Sequence, residues 1–372
     1  MDEVALLTVM PILKRVTFKF SMSRIILDCD LMRFRDSGLY HYCLNLGSYV
    51  NKIFKEEGKE LVKFYVPPKE AAVFGSRQHV IVEDTTHRFF KPFLWNCKLW
   101  HAPFQSGRIV PKSPSIKVLL TIHDLNALHE GKPIDEQRES LARTQALINR
   151  SSAIVCISEF TKSDVLKNCN VGNKPVYVVH NGTHAVGKPI LSASSYHPQL
   201  PFLFGMGYVN RKKNFDVLIP LLVDTNLELV IAGRLDEPDY ITQMKEHALQ
   251  LGVGGRLHIL GPVSEEEKAW YLKNCEAFVL PSLAEGFGAP VVEAMQFGKP
   301  LFLSNRTSLP EIAGDTAFYF HDFEPENMKD VLSSGFERYH QNGMADKIIQ
   351  RGNDFNWTEK AKQYVAIYQS LI

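Results

Sequence analysis

Eleven short runs rich in Val, Ile, Leu and Phe recur along the chain: RIILDCD, LVKFYVP, KVLLTIHD, AIVCIS and VYVVHN, then PFLFGMG, LELVIAG, LHILG, AFVLPS, PLFLSN and AFYFHD. They are almost continuously apolar and do not alternate, so strands built from them must be covered on both faces. Longer mixed stretches between them have the length of helices, and strands alternating with helices give parallel sheets in an α/β architecture. At 372 residues the chain is too long for one ordinary core and suits two domains of about 150 residues each. The stretch AVGKPILSASSYHPQL, residues 185–200, lacks periodicity and is rich in Ser, Pro and Gly, which marks it as a linker. The expected organisation is a Rossmann-like domain over 22–184, the linker at 185–200, and a second Rossmann-like domain over 201–355. Ligands of such sheets sit outside the carboxyl ends of the strands, so two sheets facing each other enclose a central cleft. Residues 356–372 carry Ala361, Tyr364, Val365, Tyr368 and Leu371 at spacings of three and four, an amphipathic closing helix expected to pack back on the first domain.

Charge narrows the partners. Lys plus Arg (42) nearly balance Asp plus Glu (41), so no global field draws the chain to nucleic acid or anionic lipid, and a polyanion must be met by a local patch. The six cysteines form no C-x-x-C pair, and Cys29, Cys156 and Cys275 lie in or beside apolar runs. That is the pattern of reduced core thiols in a cytoplasmic setting. Near the N-terminus stands VALLTVMPIL, but acids precede it, a proline interrupts it, and ten residues cannot span a bilayer. Residues 1–21 are expected to be a leader outside the fold.

The chemistry concentrates in two places. In AEGFGAPVVEAMQFGKP, residues 284–300, a glycine-rich turn follows the run AFVLPS, and Pro290 stands where a helix opens. Free N–H groups at that opening, approached closely past Gly286 and Gly288, make a site for a phosphate or diphosphate. Glu293 lies one turn inside the helix, and its side chain leans back toward the N-terminus. Carboxylates beside a phosphate site suit neutral hydroxyls: Glu293 a diol such as ribose, Glu285 the hydroxyls at the other end of the ligand. A nucleotide sugar carries diol, diphosphate and hydroxyls in that order. The second place is GMGYVNRKKN, 205–214, where Gly205 and Gly207 end a strand and Arg211, Lys212 and Lys213 follow at the start of the next helix. Asn210 occupies the position of the third glycine in a dinucleotide fingerprint, which disfavours an NAD site.

With TIHDL, ISEFTKSDV, HNGTH and SNRTSLPEIAGD, the E-x7-E of EGFGAPVVE and the G-x5-K-N of GYVNRKKN resemble the retaining nucleotide-sugar glycosyltransferases of family 4, group 1. The resemblance runs from about residue 24 to the C-terminus. It implies the GT-B fold, with an acceptor-side first domain and a donor-binding second domain. It also implies transfer of a hexose-like sugar from a nucleoside diphosphate to a hydroxyl of a glycan or lipid-linked acceptor, as in polysaccharide or lipopolysaccharide synthesis. Lys213, with Lys212 or Arg211, would neutralise the departing diphosphate, and the Phe287 and Gly288 amides would touch it. Glu285 would hold the transferred sugar and Glu293 the ribose, with Val263 bordering the base and His123 of TIHDL near the reacting end of the sugar. Gly207 and Gly38 would border the donor. The resemblance implies no metal or other cofactor, no nucleic acid, and a cytoplasmic protein, peripheral at the inner face of the membrane when its acceptor is lipid-linked. GYVNRKKN and EGFGAP look more like mannosyl-type members, a lean to GDP-mannose. The chain departs from the pattern at SGLYHY, where Tyr40 follows Gly38 in place of a second glycine.

Other features have plainer readings. DCD, 28–30, mimics a D-x-D metal motif but lies at a strand end with no His or second acidic cluster nearby, so it reads as structural. His180 and His184 of HNGTH are four apart, but the glycine between them breaks any helix that would align them on a metal. HRFFKPFLWNCKLW, 87–100, mixes large aromatics with basic side chains, and two readings stay open: core of the first domain, or a patch touching a membrane that carries the acceptor. A phosphorylase or epimerase on the same fold, or a non-catalytic nucleotide-sugar-binding module, is the alternative function.

Overall fold

The computed structural model of the chain describes residues 24–35, 37–59, 61–75, 79–105, 109–183, 196–341 and 343–372. The leader expected at 1–21, residues 185–195 of the expected linker, and His184 lie outside the described residues. Seven strands form the first sheet: β1 (Ile25–Asp28), β2 (Val62–Val66), β3 (Val80–Val82), β4 (Leu99–Ala102), β5 (Lys117–Ile122), β6 (Ala153–Cys156) and β7 (Val176–Val178). Their order is β3-β2-β1-β4-β5-β6-β7 and every pairing is parallel. The helices of this half are α1 (Gly38–Glu56), α2 (Ile134–Arg150) and α3 (Glu159–Asn168). Core residues lie on both faces of the sheet, Ile25 and Leu27 in one cluster and Ile26 in another, as a doubly covered strand requires.

The second sheet has six strands, all parallel, in the order β10-β9-β8-β11-β12-β13. They are β8 (Phe202–Met206), β9 (Glu228–Ala232), β10 (Leu257–Gly261), β11 (Ala277–Leu280), β12 (Leu301–Ser304) and β13 (Phe318–Phe320). Around them stand α4 (Pro238–Gln250), α5 (Glu265–Asn274), α6 (Ala289–Met295), α7 (Leu309–Ala313), α8 (Pro325–Gln341) and α9 (Met344–Asn353). Strand order reverses between β1 and β4 in one sheet and between β8 and β11 in the other. A reversal leaves a crevice at the carboxyl ends of the two strands, because their connections leave to opposite sides.

The last helix, α10 (Trp357–Leu371), returns to the first domain and packs along α1. Trp357, Tyr364 and Tyr368 are buried there. Two hydroxyl contacts tie it down, the second through a histidine that Thr121 holds in turn. Tyr42 and Tyr364 share a hydrogen bond of 2.6 Å, and His101 lies 2.7 Å from the Tyr368 hydroxyl and 2.8 Å from Thr121 Oγ1. Burial drives the His101 pKa down to about 3, so its ring is neutral, with one nitrogen to donate and one to accept.

Two strands escape the sequence pattern. β3 has only three residues on a sheet edge, and β4, with the sequence LWHA, carries a histidine that breaks the apolar run although it is wholly buried. β4 begins inside the 87–100 segment, which the structure divides. Cys97, Leu99 and Trp100 are core and Phe93 and Leu94 pack against it half-buried, whereas Phe89, Phe90 and Trp95 are 92%, 61% and 83% exposed, so core packing explains part of the segment and not its exposed aromatics. Among the described residues no helix is long and apolar enough to cross a membrane.

Candidate active site

At the end of β8 the chain turns on Gly207, with φ of 148°. A Cβ there would lie 2.7 Å from Lys213 Cε, so the missing side chain is what lets the lysine stem lie across the strand end. Residues Arg211–Lys213 form one 3-10 turn, not the start of a long helix. Asn210 caps it, its side-chain oxygen accepting from the Lys213 N–H at 3.2 Å, and Asn214 ends it in the left-handed region at φ 57°. With three residues per turn, successive side chains point in three directions. Lys213 turns inward and pairs with Glu285. Lys212 reaches across to the first domain, 3.4 Å from Glu130. Arg211 turns to α4, over the Tyr240 ring at 5.4 Å and 2.9 Å from Gln243, so it does not join the other two.

Glu285 follows β11, the other strand of the reversal. Lys213 Nζ and Ser282 Oγ both donate to Oε1, the latter at 2.7 Å. Its backbone is fixed as well: its N–H donates to Thr307 Oγ1 at 2.9 Å, and Ser308 Oγ donates to its carbonyl at 2.9 Å. Burial would raise the pKa of this carboxyl, but Lys213 and Lys212 outweigh burial and hold it below the ordinary glutamate value. The result is an ionised pair with little exposure to solvent. At Gly286 the two domains meet, since a Cβ would sit 2.3 Å from the carbonyl oxygen of His123. Phe287 buries its ring with Ile157 of the first domain and Val292, Ile312 and Phe355. Gly288, at φ 87°, leads into α6, with Pro290 as its second residue.

Glu293 is not the free carboxylate that the sequence suggests. Its Oε1 accepts from Lys268 Nζ at 3.2 Å, and Lys268 also meets Glu265 at 2.7 Å. Burial raises the Glu293 pKa and Lys268 pulls it only part of the way back. Val263, just after β10, is partly buried against the second core. His123 Nε2 lies 2.8 Å from the Pro103 carbonyl and so carries the proton that it donates. Burial lowers its pKa to about 4, leaving a neutral ring edge-on to Tyr42 and Phe104. Gly38 is the first residue of α1, and a Cβ there would meet nothing within 4 Å. The Tyr40 hydroxyl donates to Glu70 at 3.3 Å.

The structure thus brings Lys213, Glu285, Lys212 and the His123 backbone to one place, leaves Arg211 outside it, and gives Glu293 a partner of its own. Sequence reasoning missed Ser282, Thr307, Ser308, Asn210, Glu130 and Lys268. Only Asn210 had a local signal, a cap residue three positions before the amide it receives. Asp30 N–H donates to Asp28 Oδ1 at 3.2 Å within a turn at the end of β1. His180 lies 2.6 Å from Glu311. Among the described residues no group of three or more His, Cys, Asp or Glu side chains could hold a metal ion.

Residues 56–185 match the family model described as Glycosyltransferase Family 4, and residues 192–353 match that described as Glycosyl transferases group 1. The O-antigen chain mannosyltransferase B of Escherichia coli is 22% identical over 313 residues, 76% of each chain. The serotype-specific mannosyltransferase WbdA of Escherichia coli is 26% identical over 281 residues, 69% of this chain but 34% of that one, so the chain spans about a third of that relative. Among solved structures, HepE of Anabaena in complex with UDP and glucose superposes with a TM-score of 0.70 at 16% identity, over 94% of this chain and 100% of the other. Two consecutive family models on two parallel sheets lead to one conclusion: the chain belongs to the family 4, group 1 glycosyltransferases and has their GT-B fold.

Proposed function

We propose that this glycosyltransferase moves a hexose-like sugar, mannose from GDP-mannose, to a hydroxyl of a glycan or lipid-linked acceptor, with retention at the anomeric carbon. The observation that carries the reading is the buried ion pair of Lys213 and Glu285 at the strand-order reversal of the second sheet. A cation beside a carboxylate suits a ligand whose phosphate and sugar hydroxyls are adjacent. Negative charge grows on the leaving diphosphate as the glycosyl bond breaks. Lys213, Lys212 and the amides of Phe287 and Gly288 oppose it with groups already in position, the most effective form of electrostatic catalysis. Glu285 takes the sugar's hydroxyls while the anomeric carbon becomes cation-like. The acceptor oxygen attacks on the face that the diphosphate leaves, and a departing phosphate oxygen takes its proton, so configuration is kept without a covalent intermediate. The lysines supply the counter-charge that a divalent ion would otherwise supply. Mannose is favoured by the mannosyltransferases among the relatives.

The test has two steps. Thermal stability is screened with GDP, UDP and ADP; a nucleotide at a hundred times its dissociation constant adds about 2.7 kcal/mol. The matching sugar nucleotide is then incubated with candidate glycans in EDTA, and the anomeric configuration of the product is read by NMR. GDP stabilisation and an α-linked mannoside from the α-linked donor are expected. An inverted product, a reaction that needs Mn²⁺ or Mg²⁺, or a sugar 1-phosphate formed from inorganic phosphate contradicts the reading.

A further inference from the structure

We infer that Lys268 is a positioning residue of the donor site, holding the Glu293 carboxylate in one place so that its second oxygen can accept from the ribose hydroxyls. The inference rests on the reading of Glu293 as the ribose acceptor. Lys268 lies on α5, whose start is fixed by Ser264 and Glu267 in a reciprocal cap: Ser264 Oγ accepts from the Glu267 N–H at 3.1 Å, and Glu267 accepts from the Ser264 N–H at 2.9 Å. This cap sets the register that points Lys268 inward, where its side chain is 6% exposed against 22% for Glu293. The side of the ion pair that solvent or a ligand can reach is therefore the carboxylate.

A buried lysine in this position is not the economical way to stabilise a helix. Apolar side chains of similar volume often serve as well or better, because two charges must first be desolvated. The geometry gives it another role. Lys268 engages Oε1 of Glu293, and Glu265, 63% exposed, holds the same ammonium at 2.7 Å. Burial favours the protonated, weakly accepting form of Glu293, and the lysine charge opposes that. Without Lys268 the carboxylate loses both its fixed orientation and the cation that favours its charged form.

The experiment is calorimetry with GDP and 2′,3′-dideoxy-GDP, the UDP pair being run alongside, on the parent chain and on Lys268→Met and Lys268→Arg after thermal melts. A hydrogen bond to a charged group gives the parent a preference of about tenfold or more for the ribo form. Lys268→Met should bring the two forms within about threefold by weakening only the ribo form, and Lys268→Arg should restore most of the preference. Should the Met variant fail to fold, Lys268→Gln takes its place in the same comparison. A variant that keeps the parent's preference, or that loses both forms equally, overturns the inference, the second result meaning a purely structural brace. If the parent itself fails to distinguish the two forms, the ribose reading of Glu293 falls and Lys268 with it; failure in the variants alone leaves that reading intact.

Discussion

Glu285 and Lys213 are each other's nearest charge and both are nearly buried, and in the proposed reading the donor's phosphate and sugar enter between or beside them. Glu285→Gln keeps the shape and the Ser282 contact but leaves the lysine charge without its partner. The variant should lose about 3 kcal/mol of stability in the free state. It should bind free nucleoside diphosphate at least as well as the parent, because nothing now competes for Lys213, and bind the intact sugar nucleotide more weakly. The sign with pH follows from the lowered pKa of Glu285. A carboxyl lower in the folded than in the unfolded state, where it titrates near about 4.3, stabilises above that value and loses its contribution as pH falls through the folded one. Thermal melts from about pH 6 down to about pH 3 should therefore show a flatter acid decline in the variant; parallel declines would mean that the pair is not ionic. The glycine turn and both glutamates were legible because their spacing is local. Ser282, Thr307 and Ser308 were not, since an isolated hydroxyl carries no sign of the carboxylate or backbone group it will meet.

Between elements, a charged cross-domain contact lies where α7 meets α3. The Glu311 carboxylate accepts from the Glu159 and Phe160 amides at 2.8 and 2.9 Å and from His180 Nε2 at 2.6 Å. Burial would raise its pKa, but His180 and the two amides hold it down. Its main-chain carbonyl accepts from Arg351 of α9 at 2.8 Å. A carboxylate from the second domain thus caps a helix of the first and fixes how the cleft stands. Glu311→Ala should lower stability by about 1–3 kcal/mol and loosen the domain arrangement, giving a larger radius of gyration in small-angle scattering. An unchanged melt and radius would show that the contact carries no load. Elements were legible where burial is continuous, as in VLLTI or ELVIA, and failed where it is not. β4 hides behind His101, whose partners Tyr368 and Thr121 lie far away in the sequence. The basic trio read as a helix start because nothing in RKK shows that Asn214 will turn left-handed.

For the whole molecule, two parallel sheets, each reversing strand order, face one cleft, and the glycine turn of the second touches the backbone of His123 in the first. The paired-sheet design was legible because doubly covered strands announce their burial. How closely the domains approach was not, because contacts such as Lys212 with Glu130 join residues that share no local pattern. The proposed chemistry would use this closeness, since a water-poor cleft strengthens every charge that opposes a leaving diphosphate. The account therefore turns on Lys213. Its direct test is single-turnover transfer from the stabilising sugar nucleotide by the parent and by Lys213→Ala, with folding checked by melts. The account predicts a rate at least about a hundredfold lower in the variant, by analogy with the loss of one preorganised oxyanion donor. Transfer at the parent's rate would contradict it.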